Sequence, residues 1–363
     1  MNGLPRGESP PARLALGAAA ALYGAAVRLR GLAYDLGLLP AHRLPAAVAS
    51  VGNLAVGGAG KTPTTLYLAR LLVGQGRRPA ILSRGYGGRH ARGAGRRGVP
   101  LVVGDGGPTP LAGVEEAGDE PVLLARRSGV PVVVCPDRVS AGRLAIERFG
   151  ADTLVLDDGF QHRRLARDLD LVLVDARTGL ATGRLLPAGP LREPPAALAR
   201  AHVILLTKVP KSGNRDGLLR QIRALAPRAA VFESRYRPTA IGPLGGPAAP
   251  LGEASGVLAG RRVVALSGLA DPSSFHELLA ELGAVEVRPL AFPDHHAYGP
   301  ADYRRIAEAA SAADVVVTTE KDAVKLDLAR LGAVTPLVLE VTLDPDDPDG
   351  FAAACAARLA AAG

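Results

Sequence analysis

Gly52-Asn53-Leu54-Ala55-Val56-Gly57-Gly58-Ala59-Gly60-Lys61-Thr62-Pro63 lies between an apolar run at 46–51 and a helical pattern at 64–73. In that pattern Leu66, Ala69, Leu72 and Val73 share one face. The apolar run reads as a buried strand, so the order is strand, glycine-rich loop, Gly-Lys-Thr, helix. That order cradles a nucleoside triphosphate. Loop N–H groups and the helix N-terminus bind phosphates, Lys61 reaches the β- and γ-oxygens, and the Thr62 hydroxyl can ligate Mg²⁺. The candidate nucleotide-binding set is therefore Ala55, Val56, Gly57, Gly58, Ala59, Gly60, Lys61 and Thr62. The general pattern wants glycine where this chain has Ala55; Gly57, Gly58 and Gly60 crowd the end of the loop instead. A tight strand-to-helix turn is the ordinary alternative. Lys-Thr at a helix start favours phosphate.

Further short apolar runs follow at 79–83, 130–135, 153–157, 169–175 and 202–207, separated in places by helical segments such as 140–149. Continuous apolar runs suit a parallel sheet covered on both faces. The pattern is that of a doubly wound α/β domain. Between residues 84 and 107, Gly and Arg dominate (Arg84, Arg89, Arg92, Arg96, Arg97), which reads as a surface loop able to hold an anion. Residues 238–260 are rich in Pro, Gly and Ala and read as a linker or hairpin crossing. The α/β pattern then restarts: strands at 263–267, 285–290, 315–319 and 337–341, helices at 272–282 and 300–312. The expected division is an N-terminal helical segment (1–44), a P-loop domain (45–237), a linker (238–260) and a smaller α/β domain (261–363).

With 363 residues and 48% apolar content, the chain is long enough for two domains and too apolar to be disordered. Only five of its 43 basic residues are lysine; the arginine bias is not read as function. Two distant cysteines, Cys135 and Cys355, match no metal or disulfide spacing and fit a reducing compartment. The net charge of +8 invites a nucleic-acid reading. No RNA-binding motif, zinc finger or basic helix supports it. A phosphorylated substrate or an anionic membrane surface accounts for the charge better.

Residues 14–27 carry no charge and are flanked by Arg13, Arg28 and Arg30. This run is shorter than the roughly 20 apolar residues a bilayer span needs. A signal peptide is set aside because an ATP site follows. The run fits a helix lying in the membrane interface, with a packed N-terminal helix as the plain alternative.

Leu154-Val155-Leu156-Asp157-Asp158 is a hydrophobic strand delivering two carboxylates to its C-terminal end, the Walker B arrangement for holding Mg²⁺. Gly159-Phe160-Gln161-His162-Arg163-Arg164 adds polar groups at the same sheet edge. Gly118-Asp119-Glu120-Pro121 puts two carboxylates at a helix start; they are either a cap at the dipole end or a general base near the γ-phosphate. Phe292-Pro293-Asp294-His295-His296 is a second polar knot, read as a histidine that orients a carboxylate rather than as a metal site, or else as a plain surface loop. Thr207-Lys208-Val209-Pro210 and Thr318-Thr319-Glu320-Lys321-Asp322 imitate guanine-reading motifs. The first lacks the acceptor Asp and the second the Asn, so ATP is preferred to GTP.

Together these pieces resemble one family, the tetraacyldisaccharide 4′-kinases of Gram-negative bacteria. The likeness runs from Val51-Gly52-Asn53 through Ser83-Arg84-Gly85-Tyr86-Gly87-Gly88, Gly118-Asp119-Glu120-Pro121, Cys135-Pro136-Asp137-Arg138 and Asp157-Asp158-Gly159-Phe160-Gln161-His162. It continues through Leu185-Leu186-Pro187-Ala188-Gly189-Pro190-Leu191-Arg192-Glu193 to Phe292-Pro293-Asp294-His295-His296 and Thr319-Glu320-Lys321-Asp322-Ala323-Val324-Lys325. Ala55 is unremarkable in that family. The resemblance implies γ-phosphate transfer from ATP, with Mg²⁺, to the 4′-hydroxyl of an acylated disaccharide phosphate, in a site between a large and a small domain. It implies Asp119 as general base paired with the histidine matching His295, with His296 as the alternative, and Lys61 on the phosphates. Thr62, Glu120, Asp157 and Asp158 lie around the metal in this reading. Arg84, Tyr86, Arg138, Gln161 and His162 are expected near the lipid headgroup. The expected location is the cytoplasmic face of the inner membrane, reached through the N-terminal helix, with no nucleic-acid or protein partner implied. A P-loop switch ATPase and a kinase for a soluble sugar are the rival readings.

Overall fold

The computed structural model describes residues 10–180, 183–211, 214–254 and 256–360. In chain order its strands are β1 (Ala47–Asn53), β2 (Pro79–Ser83), β3 (Leu101–Asp105), β4 (Pro131–Val134), β5 (Thr153–Asp157), β6 (Leu169–Asp175) and β7 (Val203–Thr207). Then come β8 (Ala230–Pro243), β9 (Ala249–Pro250), β10 (Arg262–Ser267), β11 (Glu286–Ala291), β12 (Val315–Thr319) and β13 (Leu337–Pro345). All join one sheet in the order β11-β10-β12-β13-β8-β7-β6-β1-β5-β2-β4-β3, with β9 beside β8.

β1 sits between β5 and β6, parallel to both, and every residue in it is buried. Its alternate residues serve two cores. Ala47, Ala49 and Val51 pack with Leu66, Leu68, Ala69 and Leu72 of the helix Lys61–Gly74. Val48 packs on the other face with Val139, Ala141 and Ala145 of the helix Arg138–Phe149. This is the doubly wound α/β architecture, with small residues in β1 because neighbours crowd both faces. Val73, assigned to the buried face from its spacing, is 49% exposed.

A single strand ties the two α/β parts together. The first residues of β8, from Ala230, run parallel to β7; from Ser234 onward the strand pairs antiparallel with β13. Residues 238–260 thus contain the end of β8, a return to β9 and the helix Leu251–Ala254. The helix Pro348–Ala360 crosses back, and its Phe351, Cys355 and Leu359 join the core around β1. The stretch 84–107 is more ordered than a surface loop: it forms the short helices Arg89–Arg92 and Ala94–Arg97 and then β3, antiparallel on β4. Leu101 and Val102 find a partner strand that the surrounding Gly and Arg do not announce.

The N-terminal helix is longer than its apolar run, spanning Pro10–Asp35. Among the described residues no helix is long and apolar enough to cross a membrane. Leu14, Leu22, Leu29 and Leu32 on it are 76%, 74%, 66% and 52% exposed.

Candidate active site

The glycine-rich loop leaves β1 and turns into its helix at Gly60, whose φ of 88° is left-handed. Glycine takes that conformation without penalty. A Cβ there would also lie 1.8 Å from the Tyr236 hydroxyl. Gly52 is required for another reason: a Cβ would come within 2.7 Å of the Phe160 amide, where the loop after β5 crosses the start of the phosphate loop. The helix begins at Lys61, three residues before the apolar pattern, and Pro63 is tolerated because the first turn has no intrahelical use for its N–H. The loop is laced to residues 190–192: Val56 N donates to the Pro190 carbonyl at 2.8 Å, and Arg192 N to the Leu54 carbonyl at 2.7 Å. Val56, Gly57 and Gly58 form its exposed tip, while Ala59 is buried and its carbonyl accepts from the Thr207 hydroxyl at 2.9 Å. Lys61 Nζ lies 3.4 Å from the Gly57 carbonyl and 3.7 Å from Asp158.

Asp157 ends β5 beside this loop, wholly buried. Among the described residues its carboxylate accepts from two hydroxyls, Thr65 at 3.2 Å and Ser83 at 3.3 Å. Burial, reinforced by the charges of Glu120 and Asp158, lifts it to about 7. Asp158, at φ 51°, behaves in the opposite way. Burial pushes it up, but Lys61 and Arg192 outweigh that and hold it below the usual value; Arg192 binds both its oxygens, at 2.9 and 2.8 Å.

The second half of the site comes from the far end of the chain. Asp119 opens the helix Asp119–Ser128 in its first turn, so Gly118 and not Asp119 is the cap. Its carboxylate is 4% exposed and faces His295 Nδ1 at 2.9 and 3.0 Å, across 176 residues of sequence. Burial alone would raise Asp119; the His295 hydrogen bond and the Lys321 and Lys325 ammoniums hold it low instead. The same hydrogen bond raises His295. Of the two adjacent histidines, only His295 reaches Asp119: His296 Nε2 is 2.9 Å from Asp302 and its ring stacks on Phe292. Lys321 lies 3.4 Å from Glu120 and 2.8 Å from Asp294, while Lys325 lies 3.7 Å from Asp119.

The residues expected at the headgroup are placed unequally. Tyr86 is 65% exposed, and its ring centre lies 5.1 Å from that of His295. Arg84 is exposed at the same edge. Gln161 is held by Asn53, Glu193 and Arg192. Arg138 is buried, with its guanidinium given to the carbonyls of Cys135, Pro136 and Asp157. Burial lowers it to about 10. Burial and Arg138 together push His162 down to about 3, so it is neutral, and among the described residues its buried Nε2 has no hydrogen-bond partner.

Sequence reasoning quoted Lys321, Lys325 and Arg192 within motifs and gave them no role. The spacing of Lys321 and Lys325, four apart just beyond a strand end, is the signal that was available. Thr65 and Ser83 carried no signal of their own.

Comparison with known proteins follows this geometry. The family described as tetraacyldisaccharide-1-P 4′-kinase matches residues 12–360. The tetraacyldisaccharide 4′-kinase of Anaeromyxobacter dehalogenans strain 2CP-C is 49% identical over 334 residues, covering 90% of this chain and 85% of that protein. The one from Anaeromyxobacter sp. strain K is 47% identical over 351 residues, covering 95% and 90%. The crystal structure of LpxK from Aquifex aeolicus in complex with ATP superposes with a TM-score of 0.74 at 31% identity, over 96% of this chain and 99% of that one. On a match that spans both halves of the site, the chain belongs to the tetraacyldisaccharide 4′-kinase family.

Proposed function

We infer that this chain does what its family is named for: it is an ATP-dependent kinase that phosphorylates the 4′-hydroxyl of a tetraacyldisaccharide 1-phosphate. The observation that carries the residue roles is the meeting of Asp119 with His295, at 2.9 Å, beside the carboxylates next to the phosphate loop. Loop amides and Lys61 bind the triphosphate and neutralise charge as it develops on the transferring group. Asp119 takes the proton from the sugar hydroxyl, and His295 holds it in place. Tyr86, Arg84, Gln161 and His162 line the approach of the headgroup, and Arg138 supports them from beneath.

Thr62, Glu120, Asp157 and Asp158 fit a hard divalent cation. All offer oxygens, and a double positive charge would offset both the burial that chiefly lifts Asp157 and its repulsion with Glu120 and Asp158. Among the described residues no three His, Cys, Asp or Glu side chains form a protein-only metal cage. Mg²⁺ commonly takes one or two carboxylates and completes its shell with phosphate oxygens and water. When bound there, it would neutralise phosphate charge.

We also propose the division into residues 1–44, 45–237, 238–260 and 261–363, with the site between the two α/β parts. The N-terminal helix is proposed to lie on the cytoplasmic face of the inner membrane, on the strength of its exposed leucines. No nucleic-acid or protein partner is proposed.

The test is transfer of ³²P from γ-labelled ATP to purified tetraacyldisaccharide 1-phosphate in detergent micelles. A labelled bis-phosphorylated lipid, absent with Lys61→Ala, is expected. Hydrolysis of ATP with no label on the lipid would refute the reading and favour a switch ATPase or another acceptor.

A further inference from the structure

We propose that Lys321 is a positioning residue for phosphoryl transfer: it holds the His295 ring against Asp119 and fastens that pair to Glu120. Its Nζ lies 2.8 Å from Asp294 Oδ1, 3.4 Å from Glu120 Oε1 and 3.4 Å from His295 Nε2. No other cation among the described residues is recorded touching both the histidine and a carboxylate beside the phosphate loop.

The chemistry of the contact is specific. An ammonium can only donate, so in the neutral ring Nε2 is the acceptor and Nδ1 carries the hydrogen given to Asp119. In that form the ring is gripped at both nitrogens, by the Asp119 carboxylate at Nδ1 and the Lys321 ammonium at Nε2, with Asp294 Oδ2 a further 3.7 Å from Nε2. A grip at one nitrogen leaves the ring free to swing about that bond. A second grip matters here because the His295 backbone sits at φ 58°, where a residue with a Cβ has little conformational support of its own.

Lys321 is itself well anchored. It lies in the helix Glu320–Ala323, capped by the Thr319 hydroxyl, which accepts from Asp322 N. The residue before it, Glu320, pairs with Arg127 at 2.8 Å. Arg127 stands at the far end of the helix that begins with Asp119 and Glu120. Two ion pairs therefore register these helices: Arg127–Glu320 away from the chemistry and Lys321–Glu120 at it. Only the second touches His295.

This inference deepens the kinase reading and rests on it. Its test compares Lys321→Met, Lys321→Arg and Arg127→Met in full-length protein. Three quantities are read: kinetics of label transfer, melting temperature, and the rate at which diethyl pyrocarbonate modifies His295, followed by peptide mass spectrometry. Loss of a charged hydrogen bond at the reacting centre predicts a kcat about 10- to 100-fold lower in Lys321→Met, with KM for ATP and lipid changed by no more than about threefold. Lys321→Arg keeps the charge and recovers part of kcat. Removing the donor frees Nε2, so His295 reacts faster in Lys321→Met than in the wild type. Arg127→Met lowers the melting temperature without a matching loss of kcat or change at His295.

Wild-type kcat in Lys321→Met, a loss carried by the KM for lipid, or equal kcat losses in Lys321→Met and Arg127→Met would each overturn the proposal. So would unchanged modification of His295. Failure of the wild type to label lipid would instead refute the kinase reading, while the His295 reactivity still tests the contact.

Discussion

Asp157→Asn is expected to stabilise the metal-free protein while destroying its activity. The Asp157 carboxyl is lifted from 3.8 to about 7, first by burial and then by Glu120 and Asp158. At roughly 1.4 kcal/mol per pH unit, keeping it ionised in the fold costs about 4 kcal/mol as an upper figure, and relaxation of the site will absorb part of that. The sign follows from proton counting. Between about pH 4 and 7 the folded state holds a proton on this group that the unfolded state has released, so stability falls as pH rises through that window and stays low above it. Below pH 4 the group is neutral in both states and contributes nothing. An amide carries no charge, and the Thr65 and Ser83 hydroxyls can donate to it or accept from it as readily as they serve the carboxylate. The chain has no Trp, so urea unfolding followed by far-UV circular dichroism is the suitable probe. In EDTA, the gap between variant and wild type should open from pH 4.5 to 7 and reach about 2–4 kcal/mol at pH 8. Taking the difference removes the titrating groups that do not interact with Asp157, leaving its own proton and its coupling to Glu120 and Asp158. Added Mg²⁺ should narrow the gap by stabilising the wild type alone. A variant no more stable than the wild type at pH 8, or a gap independent of pH, would refute the argument.

Asp119→Ala should lower kcat at least ~100-fold, the lower end for loss of a general base, while calorimetry still detects ATP binding; near-normal turnover would remove its role. His295→Ala should cost far more kcat than His296→Ala, because only His295 reaches Asp119 and His296 is occupied by Asp302; steady-state rates for the pair decide this. Gly60→Ala combines a left-handed backbone with a collision against Tyr236, so it should weaken nucleotide binding and destabilise the fold by about 1–3 kcal/mol, read by ATP titration and thermal melts. Serine at Leu14, Leu22, Leu29 and Leu32 together should move the protein from sedimented anionic vesicles to the supernatant with its melting temperature unchanged, since these side chains are exposed.

Much of this was readable because its determinants are adjacent in sequence. The phosphate loop is a contiguous strand–loop–helix, and β5 ends in its two carboxylates. Other parts depended on distant partners. β3 hid inside a Gly- and Arg-rich stretch because three apolar residues suffice for an edge strand once β4 supplies the ladder. β8 was invisible because one strand serves two neighbours of opposite direction, which leaves its residues half-buried and without alternation. The pairing of Asp119 with His295 spans 176 residues, and local chemistry could not choose between a helix cap and a base. That choice came from the resemblance, and the choice between His295 and His296 came from geometry. Arg138 shows the reverse case: its type suggested an exposed anion contact, yet its buried guanidinium is committed to three backbone carbonyls.

The N-terminal helix connects these observations to a lipid substrate. The helix rests on the protein through half-buried residues such as Leu16, Ala20 and Val27, and specific polar contacts fasten it. Tyr23 donates to the Arg192 carbonyl at 2.9 Å, Arg30 to the Gln161 carbonyl at 3.2 Å, and Arg163 to the Gly31 carbonyl at 2.9 Å. Arg163 also pairs with Asp35, and both Arg30 and Arg163 lie over the Tyr34 ring. These contacts leave Leu14, Leu22, Leu29 and Leu32 exposed, as the proposed contact with a bilayer requires. The residues it grips are those beside Asp158: Arg192 binds that carboxylate, and Gln161 binds Arg192. If the helix lies on the membrane as proposed, its leucines are joined through these contacts to the strand ends where the phosphate loop and Asp157 meet. On that proposal the acyl chains of a substrate would stay in the lipid while its sugar reaches the site.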